Sequence, residues 1–216
     1  MEKDRLADLL IFGAGGHAKV ASDCAREMYS RQIMISGDAV RGEWGNVPIL
    51  PQSLRTFSEW RTLCPLAFVA IGDAACRAQV LSEVEAAGFT LVTLIHPTAV
   101  VSPSAQLGPG VLVCPGAVIN ADARIGKGCI VNTGAVVEHE CEIGAFSHIA
   151  PKAVLGGGAV LGPYCRVCLG AVVSDHITIG EHTTIGAGAA ALSPLPERVL
   201  AAGIPARVLK RYPAEH

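Results

Sequence analysis

Ile119-Asn120-Ala121-Asp122-Ala123-Arg124-Ile125-Gly126-Lys127-Gly128-Cys129-Ile130-Val131 holds two steps of a six-residue count that runs from Ile95 to Ala190 without a slip. Ile95, Val101, Leu107 and Val113 open the series, and Val167, Val173, Ile179 and Ile185 close it; all sixteen positions are Ile, Leu or Val. The residue four further on is usually small, as at Ala117, Ala123, Cys129, Ala135, Ser147 and Ala153. A strict short period marks a repeat architecture. Six is neither a helical period nor the two-residue alternation of a strand. It fits a short strand plus a corner, three of which close one triangular coil of eighteen residues. Each strand then points one bulky and one small residue inward. The corners are expected to hold Gly, Asn and Asp, which tolerate the positive φ of tight turns. Layers about 4.8 Å apart give a prism roughly 25 Å tall. One coil cannot bury its own inner face, so only the stack is stable.

Composition fits this reading. The chain has 216 residues, 50% of them apolar and 17% charged, with a formal net charge of −2. That balance argues against a nucleic-acid partner. No signal-like run opens the chain and no stretch reads as a membrane span, so a cytoplasmic location without a membrane partner is expected. Of the eight Cys, Cys129, Cys141 and Cys165 fall at the small inward position, where Cys acts as a compact hydrophobe. Cys165-x-x-Cys168 is a lone pair, and no metal site is expected.

Residues 1–94 read differently. Leu9-Leu10-Ile11-Phe12 ends in Gly13-Ala14-Gly15-Gly16-His17, followed by a helical stretch from Ala18 to Met28. Ile33–Ser36 reads as a strand, Ser53–Leu63 as a helix, Ala67–Ile71 as a strand, Ala75–Ala87 as a helix and Leu91–Leu94 as a last strand. Alternating strands and helices predict a small, Rossmann-like parallel α/β module. The glycine-rich turn suits a phosphate near a helix N-terminus, and Asp38 stands where a ribose hydroxyl or base edge is expected. The module is too short for both halves of a dinucleotide fold, which points to a nucleotide-linked substrate.

Glu138-His139-Glu140 carries the expected chemistry. Residues eighteen apart share a vertical column, so Ala121 lies below His139 and Gly157 above it. Gly156-Gly157-Gly158 leaves a nearly bare shelf of backbone where an acyl group could lie. A carboxylate on one imidazole nitrogen orients the ring and raises the basicity of the other, as a general base requires. The Gly157 N–H is the candidate donor to a tetrahedral oxyanion.

Phe12-Gly13-Ala14-Gly15-Gly16-His17, Val69-Ala70-Ile71-Gly72-Asp73, Leu94-Ile95-His96-Pro97, the run from Asn132-Thr133 through Glu138-His139-Glu140-Cys141 to Phe146-Ser147-His148, and the tail Ala202-Gly203-Ile204-Pro205-Ala206-Arg207 together resemble the NeuD/PglD family of bacterial sugar acyltransferases. The resemblance implies a left-handed parallel β-helix over 95–216 and a homotrimer with acetyl-CoA between neighbouring prisms. It makes His139 the base and Glu140 its partner. His148, Leu169 and Ala187 would line the CoA groove, and Gly13, Ala14, Gly15, Asp38, Gly72 and Asn132 would meet the nucleotide sugar. The chain departs from the family pattern at Gly15-Gly16, where Ser is common, and at Ala187, where Gly is common. The expected activity is acetyl-CoA-dependent N-acetylation of a nucleotide-linked amino sugar, a 4-amino-4,6-dideoxy hexose, by direct transfer. Sugar O-acetylation, a zinc enzyme on the same prism and a non-catalytic scaffold are the alternatives.

Overall fold

A computed structural model describes residues 7–37 and 41–213. The chain divides into two compact units, Met1–Leu94 and Ile95–His216.

In the first unit, β1 (Leu9–Phe12), β2 (Gln32–Ser36), β3 (Gly42–Trp44), β4 (Val47–Pro51), β5 (Leu66–Val69) and β6 (Thr90–Leu91) form a sheet in the order β3-β4-β2-β1-β5-β6. All neighbours are parallel except the β3–β4 hairpin. β1, β2 and most of β5 are buried runs without alternation, as expected of a sheet covered on both faces. The helices are α1 (Gly16–Ala25), α2 (Phe57–Leu63) and α3 (Ala74–Ala86).

Several elements differ from the sequence reading. The β3–β4 hairpin was not foreseen, because Gly45-Asn46 joins a three-residue strand to a five-residue one that does not alternate. The helix expected over Ser53–Leu63 splits. Residues Gln52–Leu54 make one 3-10 turn, and α2 starts at Phe57 because Thr56 and Glu59 form a reciprocal capping box. The last strand also splits, into Thr90–Leu91 and Leu94–Ile95.

The second unit is a left-handed parallel β-helix. Seventeen two-residue strands, β7 (Leu94–Ile95) to β23 (Ala190–Ala191), stack into three faces. Face 1 includes Leu112–Val113, Ile130–Val131, His148–Ile149, Arg166–Val167 and Thr184–Ile185. Face 2 runs from Val100–Val101 through Val136–Val137 and Val154–Leu155 to Ala190–Ala191. Face 3 runs from Gln106–Leu107 through Arg124–Ile125 and Glu142–Ile143 to Thr178–Ile179. Pairing is at a strict spacing of eighteen, as in Glu142↔Val160 and His148↔Arg166. A hairpin of β24 (Val199–Ala202) and β25 (Arg207–Arg211) extends face 1 at the C-terminal end.

The counted aliphatics form one core from Val113 to Ile185. At the first coil the burial fails: Ile95 is 36% exposed, because an end coil has no layer beneath it. The small inward residues also close hydrogen bonds. Cys129, Cys141, Ser147 and Cys165 donate to the carbonyls of Gly144, Gly156, Gly162 and Gly180 in the next layer, at 3.0–3.1 Å.

The corners correct the expectation of Gly, Asn and Asp. Every sixth residue from Gly116 to Gly188 has positive φ, yet Glu140, Phe146, Lys152, Tyr164, His176 and His182 stand there at φ 54–62. Each such residue costs roughly 1–2 kcal/mol. The offset is a backbone bond to the coil below, as from Glu140 N–H to the Ala121 carbonyl at 2.9 Å and from Tyr164 N–H to Ala145 at 2.9 Å. Stacking adds to it: Phe146 lies on Tyr164 at 5.3 Å, and Tyr164 on His182 at 4.6 Å.

Candidate active site

His139 stands on the corner between faces 2 and 3. Its Nδ1 donates to Glu140 Oε2 at 3.1 Å, since a carboxylate can only accept. That leaves the Nε2 lone pair free, the tautomer a base needs. The ring lies against Gly157: a Cβ there would fall 2.6 Å from both Cε1 and Nε2. Glycine is therefore required for the imidazole to occupy this place. Glu138 does not share the task, because its Oε2 accepts from Asn120 Nδ2 at 2.8 Å, one coil below. In the single chain the pair is open, with side chains 56% and 66% exposed, so the contact contributes little to stability. Cys141 points inward and burial pushes its thiol up, so it offers no thiolate near His139.

His148 lies on face 1 and meets Asn132, with Nδ2 and Nε2 3.0 Å apart. The direction of that bond is determined. Asn132 Oδ1 accepts from the Thr133 N–H at 2.8 Å, so Nδ2 is the donor, His148 Nε2 accepts, and the ring proton sits on Nδ1. Leu169 and Ala187 follow one another on the corner between faces 1 and 2, both exposed. His139 and the pair Leu169 and Ala187 thus occupy different corners of one prism, with His148 on face 1. The two corners bound the same face, face 2.

In the first unit, Gly13, Ala14, Gly15 and Gly72 line one cavity of about 550 Å³ together with His17, Ser36, Ile49 and Cys76. It opens at the C-terminal ends of β1, β2 and β5, where successive connections leave β1 in opposite directions; open α/β sheets bind ligands there. Gly13 is compelled twice over, by φ of 131° and by the Ala70 carbonyl, 2.6 Å from where a Cβ would be. Asp38 lies outside the described residues.

Two features were not found in the sequence. His17 lines the cavity, and its Nε2 is buried without a partner. Burial, aided by the Arg77 charge, lowers its pKa from near 6.5 to about 4. Arg77 itself is buried, and its Nη1 donates to the Ile71 and Gly72 carbonyls at 2.8 and 2.9 Å, fixing the loop that borders the cavity. The histidine was visible in the glycine-rich turn, but burial of one ring nitrogen depends on residues distant in sequence. Among the described residues no His/Cys/Asp/Glu cluster fit for a metal occurs, and no helix is long and apolar enough to cross a membrane.

A left-handed β-helix with an oriented histidine beneath a glycine, joined to an α/β unit with a glycine-rich turn, defines a hexapeptide-repeat acyltransferase. Comparison with known proteins narrows this. Residues 8–84 match the PglD N-terminal domain, and 122–157 match the bacterial transferase hexapeptide of six repeats. A histidine-to-asparagine variant of perosamine N-acetyltransferase from Caulobacter crescentus, in complex with CoA and GDP-perosamine, superposes with a TM-score of 0.89 at 40% identity, covering 94% of this chain and 97% of that one. The acetyltransferase domain of PglB from Neisseria gonorrhoeae FA1090, in complex with acetyl coenzyme A, gives 0.87 at 36% identity, with 94% and 98% covered. UDP-N-acetylbacillosamine N-acetyltransferase of Bacillus subtilis (strain 168) is 36% identical over 111 residues, which is 50% of this chain and 51% of that relative. The match therefore spans about half the length of this curated relative. The chain belongs to the NeuD/PglD family of sugar acyltransferases.

Proposed function

We propose that the protein transfers the acetyl group of acetyl-CoA to the amine of a nucleotide-linked 4-amino-4,6-dideoxy hexose, with His139 as general base. The observation that carries this reading is the His139 ring, held at Nδ1 by Glu140 and laid against Gly157. The relatives solved with CoA and GDP-perosamine, or with acetyl coenzyme A, supply the substrate classes.

The sugar amine attacks the thioester carbonyl, and a C–N bond forms. His139 Nε2 takes the proton that the amine loses. The Gly157 N–H donates to the oxyanion, a contact worth about 10²–10³ in rate in comparable sites. The C–S bond then breaks, and the CoA sulfur leaves as a thiolate that takes up a proton. The nucleotide occupies the cavity at Gly13, Ala14, Gly15 and Gly72, with Asp38 and Asn132 as further substrate contacts.

The working assembly is a trimer. Face 2 presents the outward column Val100, Val118, Val136, Val154 and Val172, an apolar stripe that calls for a cover; Val100 is 62% exposed. Three prisms that turn face 2 to a common axis bring the His139 corner of one against the Leu169–Ala187 corner of the next. Acetyl-CoA then lies between copies, and each active site is incomplete in one chain.

The test is thiol release from acetyl-CoA across nucleotide-linked 4-amino sugars, with products examined by mass before and after mild alkali. An alkali-stable acetyl product supports the reading. No turnover on any amino sugar, or an alkali-labile ester, overturns it.

A further inference from the structure

Each glycine of the Gly156-Gly157-Gly158 shelf is covered by a side chain from another coil. His139 comes from below against Gly157. From the coil above, the Asp175 carboxylate folds down onto Gly156, with Oδ1 on the place of a Cβ. The His176 ring does the same at Gly158, where its Cε1 is 2.8 Å from the place of a Cβ. The His176 N–H donates to the Gly157 carbonyl at 2.8 Å, which ties the upper coil to the shelf. The shelf therefore has a carboxylate at one end, an imidazole at the other and the His139 ring between them.

Asp175 is exposed in the single chain. Among the described residues its carboxylate has neither a hydrogen-bond nor an ion-pair partner. No Lys or Arg stands on this corner in any coil from 102–105 to 174–177, so no cation of the corner neutralises it. Consecutive Cα atoms are about 3.8 Å apart, so groups on the side-chain places of Gly156 and Gly157 stand roughly 5 Å from each other. One nitrogen that donates to both, at about 2.9 Å each, spans that gap.

Resting on the reading of His139 as the base, we infer that Asp175 binds the acceptor nitrogen and selects an amine over a hydroxyl. A neutral amine brings two hydrogens. As the C–N bond forms, the nitrogen becomes positive, and the carboxylate beside it stabilises that charge. One hydrogen passes to His139 Nε2. The other stays on nitrogen as the amide N–H and keeps its bond to Asp175. The C–S bond breaks, and the CoA thiolate takes up a proton. An alcohol brings a single hydrogen, which His139 needs, and would turn an oxygen lone pair toward the carboxylate. A site built to accept an N–H discriminates in this way against an analogue that lacks it.

The experiment compares the wild type with Asp175→Asn, which keeps the shape and removes the charge. The probes are 4-amino-4,6-dideoxy hexoses linked to GDP, UDP and dTDP, each beside its 4-hydroxy counterpart. Calorimetry reads the binding of each pair, and kinetics reads acetyl transfer. The wild type is expected to bind the matching amino sugar at least about 10-fold more tightly than its hydroxy counterpart, and the variant to bind the two alike. The variant's kcat/KM for the amino sugar should fall by about 10–10²-fold, the scale of one hydrogen bond to a charged group, with the KM for acetyl-CoA unchanged. A variant that keeps both the amine preference and the wild-type kcat/KM overturns the inference, even where acetyl transfer stands. So does a wild type that does not distinguish the two sugars. If the preference is present and lost in the variant while the wild type acetylates no sugar, the Asp175 contact stands and the proposed reaction falls. Absence of binding of every pair overturns both.

Discussion

Gly157→Ala adds one methyl group at the point where the proposed chemistry meets the backbone. An ideal Cβ there lies 2.6 Å from His139 Cε1 and Nε2. Ordinary carbon contact begins near 3.5 Å, so the imidazole must retreat by about 1 Å. Little resists the retreat, since the side chain is 56% exposed. The ring must swing outward, away from its 3.1 Å contact with Glu140. A displacement of that size in a reacting group costs on the order of 10² in rate, so kcat should fall by about that factor. The fold should not suffer: Gly157 is not among the positive-φ positions, and the inward Leu155 and Leu161 are untouched. Replacing glycine where alanine fits the backbone adds about 0.4–1 kcal/mol through the unfolded state. Turnover by thiol release, Tm by calorimetry and oligomer size by light scattering are read together. A folded protein of unchanged size with normal kcat would refute the placement of the acyl group on this shelf.

Further outcomes follow from the same geometry. His139→Ala should lower kcat by about 10²–10⁴-fold with little change in the KM for acetyl-CoA; near-native turnover would remove His139 as base. Val154→Lys puts a cation on the valine column of face 2. It should yield monomers by light scattering and abolish turnover together; an active monomer would show that each chain holds a complete site. His17 predicts a pH dependence of stability. Its folded pKa of about 4 lies below its ordinary 6.5. Above pH 6.5 neither state is protonated and nothing changes. As pH falls from 6.5 to 4 the unfolded chain takes the proton first, and stability drops by about 3 kcal/mol. Trp44 and Trp60 both belong to the first unit, so their fluorescence in urea reports it. His17→Gln should flatten this loss, and an unchanged pH slope in that variant would refute the buried neutral ring.

Much of the fold was legible because the coil turns a linear count into contact. Eighteen residues close one layer, so a spacing in the chain is a neighbour in space. Val137, Leu155 and Val173 could be stacked on paper, and so could His139 and Gly157. The parallel module was legible for a related reason: its strands are buried on both faces and read as apolar runs. The β3–β4 hairpin was not, since a three-residue strand carries no period and the five residues of β4 do not alternate. Nor were the αL corners at Glu140 and Tyr164, because the hydrogen bonds to the coil below outweigh the local preference against positive φ.

The sequence by itself determined the hexad stack, the division of the chain into a glycine-rich α/β module and a repeat prism, and the column that places a histidine beneath a glycine. All of these are local or strictly periodic. The tertiary structure decided the rest. It chose Glu140 over Glu138 as the partner of His139, because Asn120 from the coil below takes Glu138. It buried His17 Nε2 and set Arg77 beside the cavity, through contacts between strands and helices far apart in sequence. It also divided His139 from Leu169 and Ala187 between the two corners of one apolar face. A period along the chain cannot state that division, because which face lacks a cover depends on the outward side chains of every coil at once.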